Sequence, residues 1–312
     1  MEQRKLSLVT LLKYLNQAIM GMKDPRSASN ATKYSLVDVV LGAFSVFFMQ
    51  SESFLEDQRH MESNQGKSNA TNLFGMIKVP TVPQIRNIVD GISATSLSSV
   101  FNCVYQALRR DGHLKPFNYL GGILIALDGT QYFDSHKLNC KCCSSRKQKN
   151  GTVTCIPLRD AQPAIMVNWC KLIHTRESDG KILYANAFIT RHELNEQTVP
   201  LVAAAGRSRW KTENENHNVL KTKGYHLEHN FGHGQEHLAS CLLTLNLLAF
   251  LFHTVLHLTD LAYQQIRHKR GTRNGFFQDL LSLTKYLLFE SWSSLINFML
   301  YGSMSHCAAN SS

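Results

Sequence analysis

From His237 to Thr259 the chain carries no Asp, Glu, Lys or Arg. A stretch this long and apolar, LASCLLTLNLLAFLFHTVLHL, can lie in a bilayer or in the middle of a protein core. Ser240, Thr244, Asn246, His253 and His257 interrupt it. Polar groups at that density are costly in lipid and easily satisfied beside other protein elements. The stretch is therefore expected to be a buried helix around which the chain organises, with no membrane as a partner. With 312 residues, 44% of them hydrophobic, there is enough apolar material to enclose it.

Elsewhere the hydrophobic period divides the chain. Residues 5 to 20 and 35 to 60 read as amphipathic helices, the second opening at Ser35 with Asp38 three residues on, as in a capping box. ESNQGKSNATN reads as a loop, Pro80 and Pro83 punctuate, and QIRNIVDGI and SLSSVFNCVYQALRR give two more helical patterns. At Leu120 the period changes. GGILIALDGTQYF is a continuous apolar run ending in Asp128-Gly129-Thr130, the pattern of a buried strand that delivers an acid at its end. NWCKLIHTRESDGKILYANAFI reads as a hairpin turning at Ser178-Asp179-Gly180. Asn195 can cap a helix through QTVPLVAAAG that continues toward Gly224, and residues 261 to 300 give a final helical segment broken at Gly271. The expected fold is α/β but mostly helical. Three regions are expected: helical at 1–115, a core at 116–260, and a helical tail at 261–312.

A net charge of +10 favours an anionic partner. Between Ser135 and Arg159 there is no acidic residue, while Lys137, Lys141, Arg146, Lys147, Lys149 and Arg159 are basic. Arg267, His268, Lys269, Arg270 and Arg273 form a second cluster. Two separate basic patches suit an extended polyanion better than a small acidic substrate. The N-terminus, MEQRKLSLVTLLKYLNQ, lacks the apolar core and cleavage site of a signal peptide, so reduced thiols and a cytoplasmic location are expected.

Two acids are candidates for chemistry. Asp128, at the end of an apolar run, would be desolvated and would gain from a divalent cation or from a hydrogen-bonding loop. Glu213, in GRSRWKTENENHNVLK, shares a helical face with Arg209 one turn earlier, as a surface ion pair also would. LDGTQYF, followed by RSRWKTENENHNVLKTKGYHLEHNFGHG and an apolar helix, resembles the DDE-type insertion-sequence transposases with a Tyr…Arg…Glu…Lys signature. The resemblance implies an RNase H-like core, here at 116–260, in which three carboxylates hold two Mg²⁺ ions. It also implies a DNA-binding region at 1–115 and transposon ends in double-stranded DNA as the partner, with a homodimer as a further expectation. Asp128 would be the first carboxylate and Glu213 the last, both as catalytic metal ligands. Arg209 and Lys221 would contact DNA, and Lys141, Arg146, Lys147 and Lys149 would add phosphate contacts. Glu215, two residues beyond Glu213 and on the opposite side of the helix, is a less favoured ligand.

The chain departs from the family pattern in three places. Lys221 lies one residue further from Glu213 than the signature has it, which on an α-helix turns it about 80° off the glutamate's face. Gly206 stands where the signature Tyr would fall. The middle aspartate has no clear counterpart. After the basic loop, only Asp160 and Asp179 precede Glu213, and Asp179 has a turn-forming reason to be where it is. An internal deletion of the strand carrying the second carboxylate, leaving a catalytically inactive copy that still binds DNA, is the economical reading.

Cys140, Cys142, Cys143 and Cys155 are spaced closely enough for a structural Zn²⁺, although Cys-x-Cys-Cys is not the usual knuckle. His226, His229, His233 and His237 would line one helical face as in a metal site, but Gly232 and Gly234 favour a loop.

Overall fold

The computed structural model describes residues 6–27, 33–119, 121–123, 125, 168–190 and 192–302. They form a mostly helical protein with two small antiparallel sheets, divided into two compact units. The larger joins the described residues up to Pro116 with those from Asn218 onward, and the smaller takes those from Phe117 to His217.

In the larger unit, Ser7 caps α1 (Leu8–Met20) by accepting from the Thr10 amide. Ser35 and Asp38 form the expected capping box for α2 (Leu36–Met49), which is buried on every side from Asp38 to Met49. The expected single helix over 35–60 is two. Gln50 takes the left-handed conformation (φ 55°, ψ 41°) and ends α2, and α3 (Phe54–Glu62) sets off anew from a Ser53 cap. α4 (Asn64–Asn69), α5 (Val82–Asp90) and α6 (Ser98–Arg110) complete the first half.

The uncharged stretch is α9 (Leu238–Thr259), reached after α7 (Thr198–Lys211) and α8 (Asn218–Thr222). It is long and apolar enough to cross a membrane. Its buried face, Leu238 through Leu256, belongs instead to the protein's core cluster. Phe252 meets Phe44 of α2 edge-on at 5.3 Å. Its two buried polar groups are bonded within the unit: Asn246 donates to the Tyr225 carbonyl at 2.8 Å, and both ring nitrogens of His253 are engaged.

The expected 261–300 segment is three helices, α10 (Leu261–Arg270), α11 (Arg273–Tyr286) and α12 (Trp292–Tyr301), with the break at Gly271 as read. They return to the N-terminal half. The Asn69 amide donates to the Thr284 and Leu287 carbonyls and its oxygen accepts from the Phe289 amide. Trp292 donates from its indole to the Leu73 carbonyl at 2.6 Å and packs edge-on to Phe48 and Phe74. The second half therefore contributes to one shared core and is not a separate tail, because α2 and α9 are too apolar to be covered by one half alone.

In the smaller unit β1 (Asn118–Tyr119) pairs with β2 (Gly122–Ile123), and β3 (Asn168–Thr175) pairs with β4 (Ile182–Thr190) with Leu172 opposite Asn186. The expected hairpin turn is present, with Gly180 at φ 67° and the Arg176 amide bonded to the Lys181 carbonyl at 2.8 Å. The apolar run after Leu120 behaves differently from expectation. In its described part Ile123 and Ile125 are exposed, 38% and 73%, on a short hairpin rather than inside a buried strand. α7 packs on β3 and β4, burying Val202 and Ala203.

Candidate functional site

Glu213 sits in a π-helical turn, Thr212–His217, that continues α7, and its side chain is exposed. Arg209, four residues earlier on α7, is also exposed. The expected Asn195 cap is displaced: α7 starts after Gln197, whose side chain makes no cap bond, and Asn195 sits in the turn before it, its side-chain oxygen accepting from the Gln197 and Thr198 amides at 3.0 and 2.9 Å. Gly206 has a local cause. A Cβ there would run into the ring of Phe188 on β4, so α7 can lie this close to the hairpin only if that position has no side chain. A phenol ring at this position is sterically incompatible with the packing. Arg207, next along, stands over the Tyr184 ring at 5.5 Å.

Lys221 lies in α8 and belongs to the larger unit. In this structure Lys221 is ion-paired with Glu228 at 2.8 Å.

Asp128 and Asp160 lie outside the described residues, as do Lys141, Arg146, Lys147 and Lys149 of the basic loop and Cys140, Cys142, Cys143 and Cys155. Asp179 is occupied by the turn it makes, accepting from Arg176 at 3.0 Å and from the Lys181 amide at 3.1 Å. Among the described residues no group of three or more His, Cys, Asp or Glu side chains is placed to hold a metal ion. The histidine run is a loop, as its glycines suggested, with His226 itself at φ 48°. The described acids therefore do not make up a Mg²⁺ site.

Two polar centres in the larger unit gave no sequence signal. Asp90, the last residue of α5, caps α9 from 145 residues away. It accepts the amides of Gln235, Glu236, His237 and Leu238 at 2.8, 3.0, 3.0 and 2.9 Å. Burial pushes its carboxyl up, but the four amide bonds outweigh that and hold it below the usual carboxylate range. Asp57 of α3 is buried against two hydroxyls, Ser45 Oγ at 3.0 Å and Ser51 Oγ at 2.7 Å, and burial raises its carboxyl to about 6.

The chain matches no protein-family model, no curated protein and no solved structure.

Proposed function

We propose that this chain derives from a DDE-type DNA transposase, whose full activity is metal-dependent cleavage and strand transfer at transposon ends, and that it binds DNA without performing that chemistry. The observation that supports the reading most is the Arg209–Glu213 pair. Both residues lie on one helical stretch that follows the β3–β4 hairpin, α7 packing on it, with the one-turn spacing that the resemblance implies for its Arg and Glu. The motif residues Asp128, Glu213, Arg209 and Lys221 give the family reading. The engagement of Asp179 in its turn supports the loss of the middle carboxylate. What the chain's own residues offer is charge. Arg207, Arg209 and Lys211 on α7 and Arg267, Lys269, Arg270 and Arg273 around α10 provide guanidinium and ammonium groups for phosphates. A cytoplasmic, homodimeric protein is part of the same proposal.

The test is a salt titration of the whole chain on labelled duplex DNA, together with a nicking and joining assay in Mg²⁺ or Mn²⁺. Binding should weaken linearly in log–log form as phosphate contacts are screened, with no nicked or joined product. Affinity that is flat with salt would remove the DNA reading. Strand cleavage by the wild type that disappears in Asp160→Asn would show a rebuilt active site and overturn the loss of catalysis.

A further inference from the structure

Most buried polar side chains of the larger unit are bonded, so the exceptions carry information. Three are donors: the Gln50 amide nitrogen, the Tyr225 hydroxyl and Arg267 Nη1. They come together from three elements. Gln50, strained in the left-handed conformation at the end of α2, lays its carboxamide against Gly224, the neighbour of Tyr225. Tyr225 is 1% exposed and meets the Phe277 ring of α11 at 6.4 Å. Phe277 adjoins Phe276 at 5.1 Å, and the Arg267 guanidinium of α10 lies over Phe276 at 5.3 Å.

Arg273 joins them as the first residue of α11, where the positive end of a 14-residue helix adds to its charge. The two guanidinium groups are electrostatically felt throughout the cluster. Burial lifts the Tyr225 phenol, and Arg273, Arg267 and loose contacts of its hydroxyl with Gln50 and Arg273, short of well-formed hydrogen bonds, pull against that shift; the same two arginines add to the burial that depresses His253 and His257. Among the described residues no carboxylate answers them. Asp279 is held by Arg270 at 2.6 Å and Asp260 caps α10 through the Tyr263 amide. No ion pair to Arg267 or Arg273 forms among the described residues.

We propose that Gln50, Tyr225, Arg267 and Arg273 form an oxyanion site that takes one phosphate group. Two guanidinium forks, a phenol and an amide are donors on four separate elements, a set that repels cations. A carboxylate balances only one of the two guanidinium charges, whereas a phosphate dianion matches both and brings more acceptor oxygens. Arg267 and Arg273 are half-buried, so part of each side chain meets solvent, while Arg267 Nη1, the phenol and the amide nitrogen are buried and desolvated, which strengthens their bonds to a charge. Arg267 and Arg273 also belong to the basic surface of the DNA reading, but the site does not require a transposase ancestry. The phosphate could be a free ion or part of a nucleic-acid backbone, and the chemistry of the site is the same for both.

The experiment is calorimetric titration of the whole chain with inorganic phosphate at constant ionic strength. Saturable binding of one phosphate per chain is expected. Arg267→Gln and Arg273→Gln should each weaken it about tenfold or more, since each removes a charge-assisted pair. Tyr225→Phe should weaken it by less, and Lys285→Gln, exposed on the same helix as Arg273, should leave it unchanged. Should Arg267→Gln fail to fold by circular dichroism, Arg273→Gln and the near-isosteric Tyr225→Phe decide. Absence of saturable binding, wild-type affinity in Arg273→Gln, or an equal loss in Lys285→Gln would each overturn the site. Adding a short DNA duplex separates the sources: competition with phosphate assigns the site to a backbone phosphate, and additive binding assigns it to the free ion.

Discussion

The imidazole of His253 lies flat on the ring of Phe48, centroids 4.1 Å apart, and is bonded to that same residue's carbonyl through Nε2 at 2.9 Å. A carbonyl can only accept, so Nε2 carries the proton and Nδ1 accepts from the Tyr263 hydroxyl at 2.8 Å. Every polar atom of a neutral ring is satisfied, and a proton added to Nδ1 would have no acceptor.

Burial accordingly holds His253 at about 3 in the folded chain, against about 6.5 unfolded. Between those values the unfolded state binds the extra proton, so stability falls as pH drops from about 6.5 toward 3. His253→Gln should flatten that acid-side decline. It should also cost roughly 1–3 kcal/mol at pH 7 by leaving the Phe48 carbonyl or Tyr263 hydroxyl poorly bonded. Denaturant melts at several pH values check both, and an unchanged acid-side slope would contradict the assignment.

Asp57 runs the other way. Ser45 Oγ lies 3.0 Å from both the Gly42 carbonyl and the Asp57 carboxyl but has one hydrogen to give. A protonated Asp57 resolves this by donating to Ser45 while accepting from Ser51. The folded state thus keeps a proton up to about 6 that the unfolded chain releases near 3.9, and stability falls as pH rises through that window. Asp57→Asn mimics the protonated acid and should remove that fall, a gain on the order of 2 kcal/mol at pH 7. In the wild type the two slopes oppose each other between about pH 4 and 6, so Asp57→Asn should also expose the full His253 dependence. A variant less stable than wild type at pH 7 would argue for an ionised Asp57.

Asp90→Ala removes the acceptor for four amides and should cost about 1–2 kcal/mol, with faster hydrogen exchange confined at first to residues 235–238. Because Asp90 is held below the usual range, its contribution is complete above about pH 4 and disappears as pH falls further. Unchanged exchange at those amides in the alanine variant would contradict this role.

Gly224→Ala should destabilise by about 1–3 kcal/mol, since φ is 101° and the new methyl would strike the Gln50 amide oxygen. Thermal melts check the loss. A smaller penalty in the double variant Gly224→Ala/Gln50→Ala would locate it in that contact.

Local signals were readable where local chemistry makes the structure. The Ser35–Asp38 box, the Ser178-Asp179-Gly180 turn and the Gly271 break each depend on neighbours a few residues apart. The end of α2 was not, because Gln50 adopts a glycine-like conformation that no glycine or asparagine announces. Nor was the return of residues 218–302 to the N-terminal helices, which is written in the fit of Asn69, Trp292 and Phe48 across more than two hundred positions. His253, read in the sequence only as a polar interruption of an apolar run, is a core histidine with both nitrogens occupied. For the candidate site, Arg209 and Glu213 share a helix as their spacing requires. The π-turn at Thr212–His217 leaves no mark in TENENH that periodicity could detect.

The closure of α4 by Asn69 and Trp292 has a consequence for how the chain is made. On a ribosome, α2 emerges with nearly every side chain destined for burial, long before Phe289 and Trp292 exist to cover it. At roughly 5–20 residues per second the wait is on the order of ten seconds or more. During that interval the nascent N-terminal half presents Phe44, Phe47 and Phe48 to solvent, so its yield should depend on holding chaperones, and truncations before Trp292 should accumulate as aggregate.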